Sequence, residues 1–168
     1  MSSVFVWPVR VYYEDTDHGG VVYYANYLKF MERCRTELLR CRGLEQDDLI
    51  TKNDLIFAVR RVEADYLQPA KFNDHLLVTA QVVQKSRVKI VFKQQIFKKQ
   101  IAEKQRNVGE KNISSHSTGS GYFDTIENIT DNGILLCEAE VTIVSLSASN
   151  MRPKRISENI FEELMRER

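Results

Sequence analysis

Residues 10–38, RVYYEDTDHGGVVYYANYLKFMERCRTEL, change from a strand pattern to a helix pattern across one short polar turn. Residues 9–13, VRVYY, alternate and carry β-branched and aromatic side chains, which predicts a strand. A polar turn with two glycines follows at residues 14–20, EDTDHGG. From about Tyr24 to Arg42, apolar side chains recur every three or four residues, which predicts an amphipathic helix that stops at Gly43.

The rest of the chain mostly has the two-residue period of strands. The segments predicted to be strands are 56–67, 75–84, 87–98 and 135–146. Ser157 is the expected N-cap of a short final helix, ENIFEELMRER. Strands that run consecutively after one helix predict an α+β fold, in which an antiparallel sheet packs on that helix. The length of 168 residues suits a single domain spanning residues 1–168.

Residues 99 to about 133 interrupt the strand pattern. The segment is polar and rich in Ser, Asn and Gly. We interpret it as a loop or hairpin extension between two strands. Because long insertions at a hairpin tip cost little, replacing residues 103–131 with a short turn should leave folding and activity nearly intact.

The composition argues against several classes of protein. With 24 basic and 23 acidic side chains, the chain lacks the basic surplus of a nucleic-acid binder. The three cysteines form no CxxC pair, so we expect free thiols in a reducing compartment. No segment has the pattern of a secretory signal or of a membrane span. P-loop, dinucleotide and metal-ligand spacings are also absent. The sequence therefore predicts a soluble, cytoplasmic protein that needs no metal or organic cofactor.

The string DTDHGGVVYYANY at residues 15–27 closely resembles the opening of the 4-hydroxybenzoyl-CoA thioesterase family. Within that family it is most similar to the YbgC-type acyl-CoA thioesterases encoded beside the Tol–Pal envelope system. The resemblance continues through RRVEADYLQPAKFNDHLLV (60–78), CEAEVTIVSL (137–146) and RPKRI (152–156). It covers most of the chain except the extension at 99–133.

This resemblance implies a hotdog fold, in which a five-stranded antiparallel sheet wraps around one long helix and the protein dimerises through the sheet. It implies an active site at the subunit interface that hydrolyses acyl-CoA to a free acid and coenzyme A. Thioesters of acyl carrier protein are a second expected substrate class. The expected assembly is a homodimer or a homotetramer.

The resemblance assigns roles to Asp17 and Tyr24, and the chemistry of the turn itself suggests roles for Asp15 and His18. Asp17 is the expected catalytic group, acting as a nucleophile or as a general base on water, although an aspartate in a turn often has only a structural role. The backbone N–H of Tyr24, at a helix start, is expected to polarise the carbonyl. His18 is expected to tune Asp17 or to hold a water, with an exposed histidine of no function as the alternative. Asp15 is expected to bond loop amides.

One departure from the family concerns Tyr24. Many YbgC-type members carry histidine at this position. A phenol cannot replace an imidazole near pH 7, so a histidine-assisted mechanism is in doubt here, whereas the backbone role of Tyr24 is unaffected.

Further residues are candidates for substrate binding. Arg87 and Lys89 alternate to the outward face of a predicted strand, where the family places basic groups near the coenzyme A phosphates; a solvent-facing role is the alternative. Tyr23, Tyr27 and Phe30 are candidates to line the acyl pocket, with core packing as the default interpretation.

Two other functions stay open at this level. A non-catalytic acyl-thioester-binding or scaffolding module would share the fold but show no turnover. A hotdog dehydratase would need a histidine and an acidic residue placed differently from those in this sequence.

Overall fold

The computed structural model describes residues 3–100 and 120–166. Within these residues the chain forms six strands, four α-helices and a short 3-10 turn at Tyr13–Asp15. The strands are β1 Ser3–Arg10, β2 Leu55–Tyr66, β3 His75–Lys85, β4 Lys89–Lys99, β5 Tyr122–Thr125 and β6 Gly133–Ser147. The helices are α1 Tyr24–Cys41, α2 Gln46–Asn53, α3 Ile126–Asp131 and α4 Glu158–Met165.

The strands form one antiparallel sheet in the order β2-β6-β4-β3-β1-β5. The four strands predicted after the long helix are confirmed to within two residues at each end. The first strand was predicted at residues 9–13 but ends at Arg10. Beyond it, the N–H of Val11 donates to the carbonyl of Asp74 at 3.0 Å, and the 3-10 turn follows.

Helix α1 confirms the helix predicted from the three-and-four spacing. Its apolar stripe is buried at Tyr27, Phe30, Met31, Cys34, Leu38 and Leu39. At its end the N–H of Gly43 donates to Arg40 O, and the N–H of Leu44 donates to Leu39 O, both at 2.9 Å. These two bonds form a Schellman motif, which needs a left-handed residue. Gly43 takes that conformation, with φ of 76°, without the steric cost of a side chain.

The main core lies between α1 and one face of the sheet. Strand β4 directs alternate side chains into it, at Ile90, Phe92, Gln94 and Ile96, each at most 2% exposed. Each buried Ile or Phe contributes roughly 1.5–3 kcal/mol. The polar member of this row, Gln94, donates through its side-chain amide to Met31 O at 3.1 Å and Thr79 O at 3.2 Å. These bonds offset the cost of burying its amide.

The interpretation of residues 99–133 as a loop extension is wrong for its second half. Residues 122–131 form β5, which pairs with β1, and α3, which follows directly. Ile129 of α3 is 2% exposed and packs in a second apolar cluster with Val4, Val6, Leu77 and Phe97. Neighbours of these residues in β1, β3 and β4 point into the main core, so α3 covers the opposite face of the sheet. Residues 101–119 lie outside the described residues.

Two short helices complete the fold. Helix α2 was not predicted, because its sequence QDDLITKN is polar and only Leu49 in it is buried. Helix α4 confirms the predicted final helix, and Ser157 occupies its N-cap position. The hydroxyl of Ser157, however, donates to Oδ1 of Asn159 at 2.7 Å and accepts no backbone N–H of the helix. Among the described residues, no helix combines the length and the apolar character needed to cross a bilayer.

Candidate active site

The turn before α1 is closed by backbone bonds. Thr16 and Val22 form an antiparallel bridge, and the N–H of Asp17 donates to Val21 O at 2.9 Å. The N–H of Gly20 donates to Asp17 O at 3.0 Å, and Gly20 has a φ of 76°. Glycine suits this left-handed position. The result is a tight loop, residues 17–21, with Asp17 at its first position; we call it the Asp17 loop.

The side chain of Asp17 is exposed and held by its own loop. Its Oδ1 accepts the N–H of Gly19 at 2.8 Å. A Cβ atom at Gly19 would lie 3.1 Å from that oxygen, so a larger residue at position 19 requires the carboxylate to shift slightly. His18, beside it, is also exposed and makes no hydrogen bond or ion pair with another described residue.

The start of α1 presents unpaired amides close to this loop in sequence. Tyr23 is the N-cap, with extended backbone and no side-chain cap. The N–H of Tyr23 donates to Asp15 O at 2.9 Å, and that of Asn26 donates to Tyr23 O at 2.8 Å. Within the described residues, no acceptor takes the N–H of Tyr24 or of Ala25. These first-turn amides, with the helix dipole behind them, are suited to bind a developing negative charge.

Asp15 holds the two sides of the site together. Its carboxylate Oδ2 accepts the N–H of Tyr12 at 2.8 Å. Its carbonyl accepts both the N–H of Tyr23, at 2.9 Å, and the side-chain amide of the buried Asn26, at 2.9 Å. The predicted structural role of Asp15 is therefore confirmed. It ties the strand exit at Tyr12 to the helix start that carries Tyr24.

Two candidate pocket residues lie in the core, as the default interpretation of core packing predicts. Tyr27 and Phe30 are 3% and 1% exposed. The phenol oxygen of Tyr27 accepts the N–H of Ala70 at 2.9 Å, and burial raises the pKa of Tyr27. Ala70 in turn accepts the N–H of Val22 at 2.8 Å. Tyr27 thus supports the closing bridge of the Asp17 loop, and its position does not favour the predicted contact with an acyl group.

An exposed aromatic surface borders the helix start. Tyr23, Tyr24 and Tyr66 are between 45% and 59% exposed. The ring centroids of Tyr23 and Tyr24 lie 4.7 Å apart, and those of Tyr24 and Tyr66 lie 6.2 Å apart. A hydrogen bond with Tyr24 raises the pKa of Tyr23, and the charge of Asp17 adds in the same direction. The Tyr23 phenol therefore lies within electrostatic range of the Asp17 carboxylate.

The predicted basic residues are engaged elsewhere. Arg87 lies in the turn before β4, not on the strand, because β4 begins at Lys89. It forms an ion pair with Glu158 and lies over the ring of Phe161, with Cζ 4.8 Å from the centroid. Lys89 donates to Oε1 of Gln84 at 3.1 Å. Among the contacts of the described residues, none joins either cation to the Asp17 loop.

In the residues it describes, the structure favours neither a cysteine nucleophile nor a metal site. Cys34 and Cys137 are buried free thiols, and burial raises the pKa of Cys137 to about 12. A raised thiol pKa opposes formation of a nucleophilic thiolate. In the described parts of the chain, no three His, Cys, Asp or Glu side chains are grouped so that they could hold a metal ion.

The sequence model of the thioesterase superfamily matches residues 19–104. The chain belongs to the thioesterase superfamily. It is 33% identical over 162 residues to the acyl-CoA thioester hydrolase YbgC of Escherichia coli O6:H1, covering 96% of both chains. It is 45% identical over 96 residues to the acyl-CoA thioesterase YbgC of Haemophilus influenzae, covering 57% of this chain and 71% of that one.

Solved structures of thioesterases have the same fold as this superfamily member. The 1,4-dihydroxy-2-naphthoyl-CoA thioesterase Slr0204 of Synechocystis superposes with a TM-score of 0.70 at 18% identity, covering 96% of this chain and 95% of that chain. A probable thioesterase of Bartonella henselae gives 0.63 at 25% identity, covering 93% of this chain and all of that one. The predicted hotdog fold is confirmed. Its sheet has six strands in the described residues instead of the expected five, because β5 adds to β1.

Proposed function

We propose that this protein is an acyl-CoA thioesterase that hydrolyses acyl-CoA to a free acid and coenzyme A. The observation that carries the proposal is an exposed carboxylate, Asp17, in a bridged loop that leads directly into the helix start carrying the unpaired amide of Tyr24. The names of the YbgC relatives, one of which covers 96% of the chain, support the same reaction.

Thioester hydrolysis requires a hydrogen-bond donor for the carbonyl oxygen and a group that attacks the carbonyl carbon or activates a water. The N–H of Tyr24 donates to the thioester oxygen, which gains negative charge as the carbonyl carbon becomes tetrahedral. Asp17 attacks that carbon itself, or removes a proton from a water that attacks. The C–S bond then breaks, and the sulfur leaves as the coenzyme A thiolate, which takes up a proton. In the first route, a water then hydrolyses the acyl–Asp17 anhydride, which releases the free acid and restores the Asp17 carboxylate. Either route uses the carboxylate and neither needs a metal.

The roles of neighbouring groups follow from their exposure. Tyr23 and Tyr24 border the thioester through their exposed rings. His18 is free to hold the attacking water. Arg87 and Lys89 are the proposed contacts for the coenzyme A phosphates, which requires Arg87 to exchange its Glu158 partner for phosphate. Acyl carrier protein thioesters are a second substrate class that presents the same thioester.

The same proposal includes a homodimer, with a homotetramer as the larger assembly. β2 is the terminal strand of the sheet, 12 residues long, and its outer edge is unpaired within the described residues. A long open edge favours pairing with another strand. A cytoplasmic location is proposed from the free thiols of the three cysteines.

A thiol-release assay tests the function directly. Purified protein is incubated with short, long and aromatic acyl-CoA thioesters, and free coenzyme A is measured with a thiol reagent. Turnover of at least one of them that is lost in Asp17→Asn supports the proposal. Tight binding of acyl-CoA without any turnover would instead indicate a non-catalytic binding module.

A further inference from the structure

A concave site separate from the Asp17 loop lies beside the C-terminal half of α1. It is a cavity of about 100 Å³. Its polar wall is formed by Glu32, Arg35 and Thr36 of α1, and its apolar floor includes Phe57, Val59 and Phe92. The cavity is thus largely apolar, and its polar wall carries one cation, Arg35, and one carboxylate, Glu32.

Arg35 is a partly buried cation whose side-chain hydrogen bond goes to a neutral group. Its Nη1 donates to the neutral Oε1 of Gln94 at 2.6 Å, and it forms no ion pair among residues 3–100 and 120–166. Burial lowers the pKa of Arg35, the nearby charge of Glu32 opposes that shift, and arginine stays protonated in proteins. Glu32 is exposed, and its carboxylate accepts the hydroxyl of Thr36 at 2.7 Å. A desolvated guanidinium with unused donors favours binding of an anion.

An apolar strip on β2 connects this cavity to the helix start. Tyr66 lies beside Tyr24 and Val59 lines the cavity, so β2 runs antiparallel to α1. A β-bulge between Val59 and Arg61 shifts the alternation by one residue. Val59, Val62 and Tyr66 therefore face the same side, and they are 53%, 37% and 45% exposed.

We propose that Arg35 binds a carboxylate at the far end of the acyl group, so that the preferred substrates are acyl-CoA thioesters of dicarboxylic acids. This inference rests on the proposed thioesterase function. The thioester lies at Tyr24, the methylene chain lies along Val62 and Val59, and the terminal carboxylate meets the guanidinium fork. Planar bidentate pairing with a carboxylate is the interaction to which arginine is best suited.

The spacing between Tyr24 and Arg35 favours acyl chains of medium length. Arg35 follows Tyr24 by 11 positions, which is about 16 Å along a helix axis. Its side chain leans toward the N-terminus of the helix, which shortens the span that the acyl chain must cover. Very short acyl groups would end on the β2 strip and would not reach the guanidinium.

The test compares substrates that differ only in the terminal group. kcat/KM is measured for adipoyl-, suberoyl- and sebacoyl-CoA against hexanoyl-, octanoyl- and decanoyl-CoA. The variants are Arg35→Gln, which can still bond Gln94, and Arg35→Lys, which keeps the charge but loses the fork. Arg33→Gln, exposed on the same helix, is the charge-matched control. Binding of non-hydrolysable thioether analogues of suberoyl- and octanoyl-CoA is measured by calorimetry.

We expect the wild type to prefer the carboxylated member of at least one pair by about 10-fold or more. Arg35→Gln should remove that preference, Arg35→Lys should retain part of it, and Arg33→Gln should leave it unchanged. Equal use of both substrates by the wild type would overturn the inference, even if Arg35→Gln failed to fold. A second result would also overturn it: Arg35→Gln lowers kcat/KM equally for both substrates and weakens the dimer in sedimentation. Arg35 would then pair with a second copy of the chain.

The two proposals fail in different ways. Preferential binding of the suberoyl analogue without turnover of any thioester would reject the thioesterase function and keep the role of Arg35. Turnover of thioesters without any preference for the carboxylated substrate would reject the role of Arg35 and keep the thioesterase function.

Discussion

The backbone N–H of Gly19 donates a 2.8 Å hydrogen bond to Oδ1 of Asp17, so the loop itself orients the carboxylate that we propose as the catalytic group. This bond leaves Oδ2 of Asp17 available to a substrate or a water. Substitution of Gly19 therefore tests how much the orientation of this carboxylate contributes to turnover.

Replacing Gly19 with alanine should impair turnover more than stability. The added Cβ would lie 3.1 Å from Oδ1 of Asp17, which pushes the carboxylate out of place. A misplacement of about 1 Å can cost about 100-fold, so for this smaller shift we expect kcat to fall by about 3- to 10-fold, with a nearly unchanged Tm. Gly20→Ala is the matched control. It meets no atom within 4 Å but forces a side chain to φ of 76°, which should cost about 1–2 kcal/mol of stability. A Gly19→Ala enzyme with wild-type kcat would contradict the assigned orientation.

Tyr27→Phe should destabilise the protein without removing any core volume. The substitution deletes the acceptor of the Ala70 N–H, and Ala70 is fully buried. An unsatisfied buried donor costs about 1–3 kcal/mol, which should appear as a lower midpoint in urea with an unchanged m-value. Tyr13→Phe, at a ring that is 76% exposed, should have little effect. Equal midpoints for both variants would show that the Tyr27 bond does not stabilise the fold.

Asp54 should make stability depend on acid pH. The hydroxyl of Ser147, with the backbone N–H of Ser149 and the ammonium group of Lys154, lowers the pKa of Asp54 from 3.8 to about 2. Because the folded pKa is the lower one, its contribution is fully present above pH of about 4 and is lost as the pH falls toward 2. The difference in unfolding free energy between wild type and Asp54→Asn should therefore be constant near neutrality and shrink in that acid window. Asp48→Asn, at an exposed helix position, is the control; the same pH dependence for both variants would refute the assignment.

Ile129→Ala tests the structural role of the segment that the sequence pattern treated as a loop. Ile129 is 2% exposed in the second apolar cluster, so its truncation should cost roughly 2–4 kcal/mol. Glu127→Ala, exposed on the same helix, should cost little. Replacement of residues 103–131 by a short turn should now destabilise the protein, because it removes β5 and α3. Wild-type stability of Ile129→Ala would show that α3 is dispensable.

Sequence patterns were sufficient to predict the elements whose structure depends on residues close together in the chain. Helix α1 and its stop at Gly43 follow from periodicity and from the left-handed conformation that glycine accepts. Strand β5 could not be predicted in this way, because four residues carry little periodicity and their partner, β1, lies more than 100 positions earlier. The pairing comes from burial of Ile129 and its neighbours, which is a property of the assembled sheet.

In the candidate site, too, features set by neighbouring residues could be predicted and long-range contacts could not. The turn chemistry around Asp17 and the structural role of Asp15 were accessible from sequence. The hydrogen bond from the Ala70 N–H to Tyr27 was not, because the two residues are 43 positions apart. Arg35 gave no signal at all: in a helix pattern it is one polar residue among several, and only the structure shows its bond to Gln94 and its place in the cavity wall.

The most direct test of the central claim is the turnover of Asp17→Asn. The amide keeps the size of the side chain and can still accept the Gly19 N–H, but it can neither attack a carbonyl nor take a proton from water. We predict that kcat falls by at least about 100-fold, while a non-hydrolysable acyl-CoA analogue still binds. Asp15→Asn should instead lower Tm more than kcat, because Asp15 bonds the N–H of Tyr12. An Asp17→Asn protein that retained more than about a tenth of wild-type turnover would contradict both the mechanism and the site.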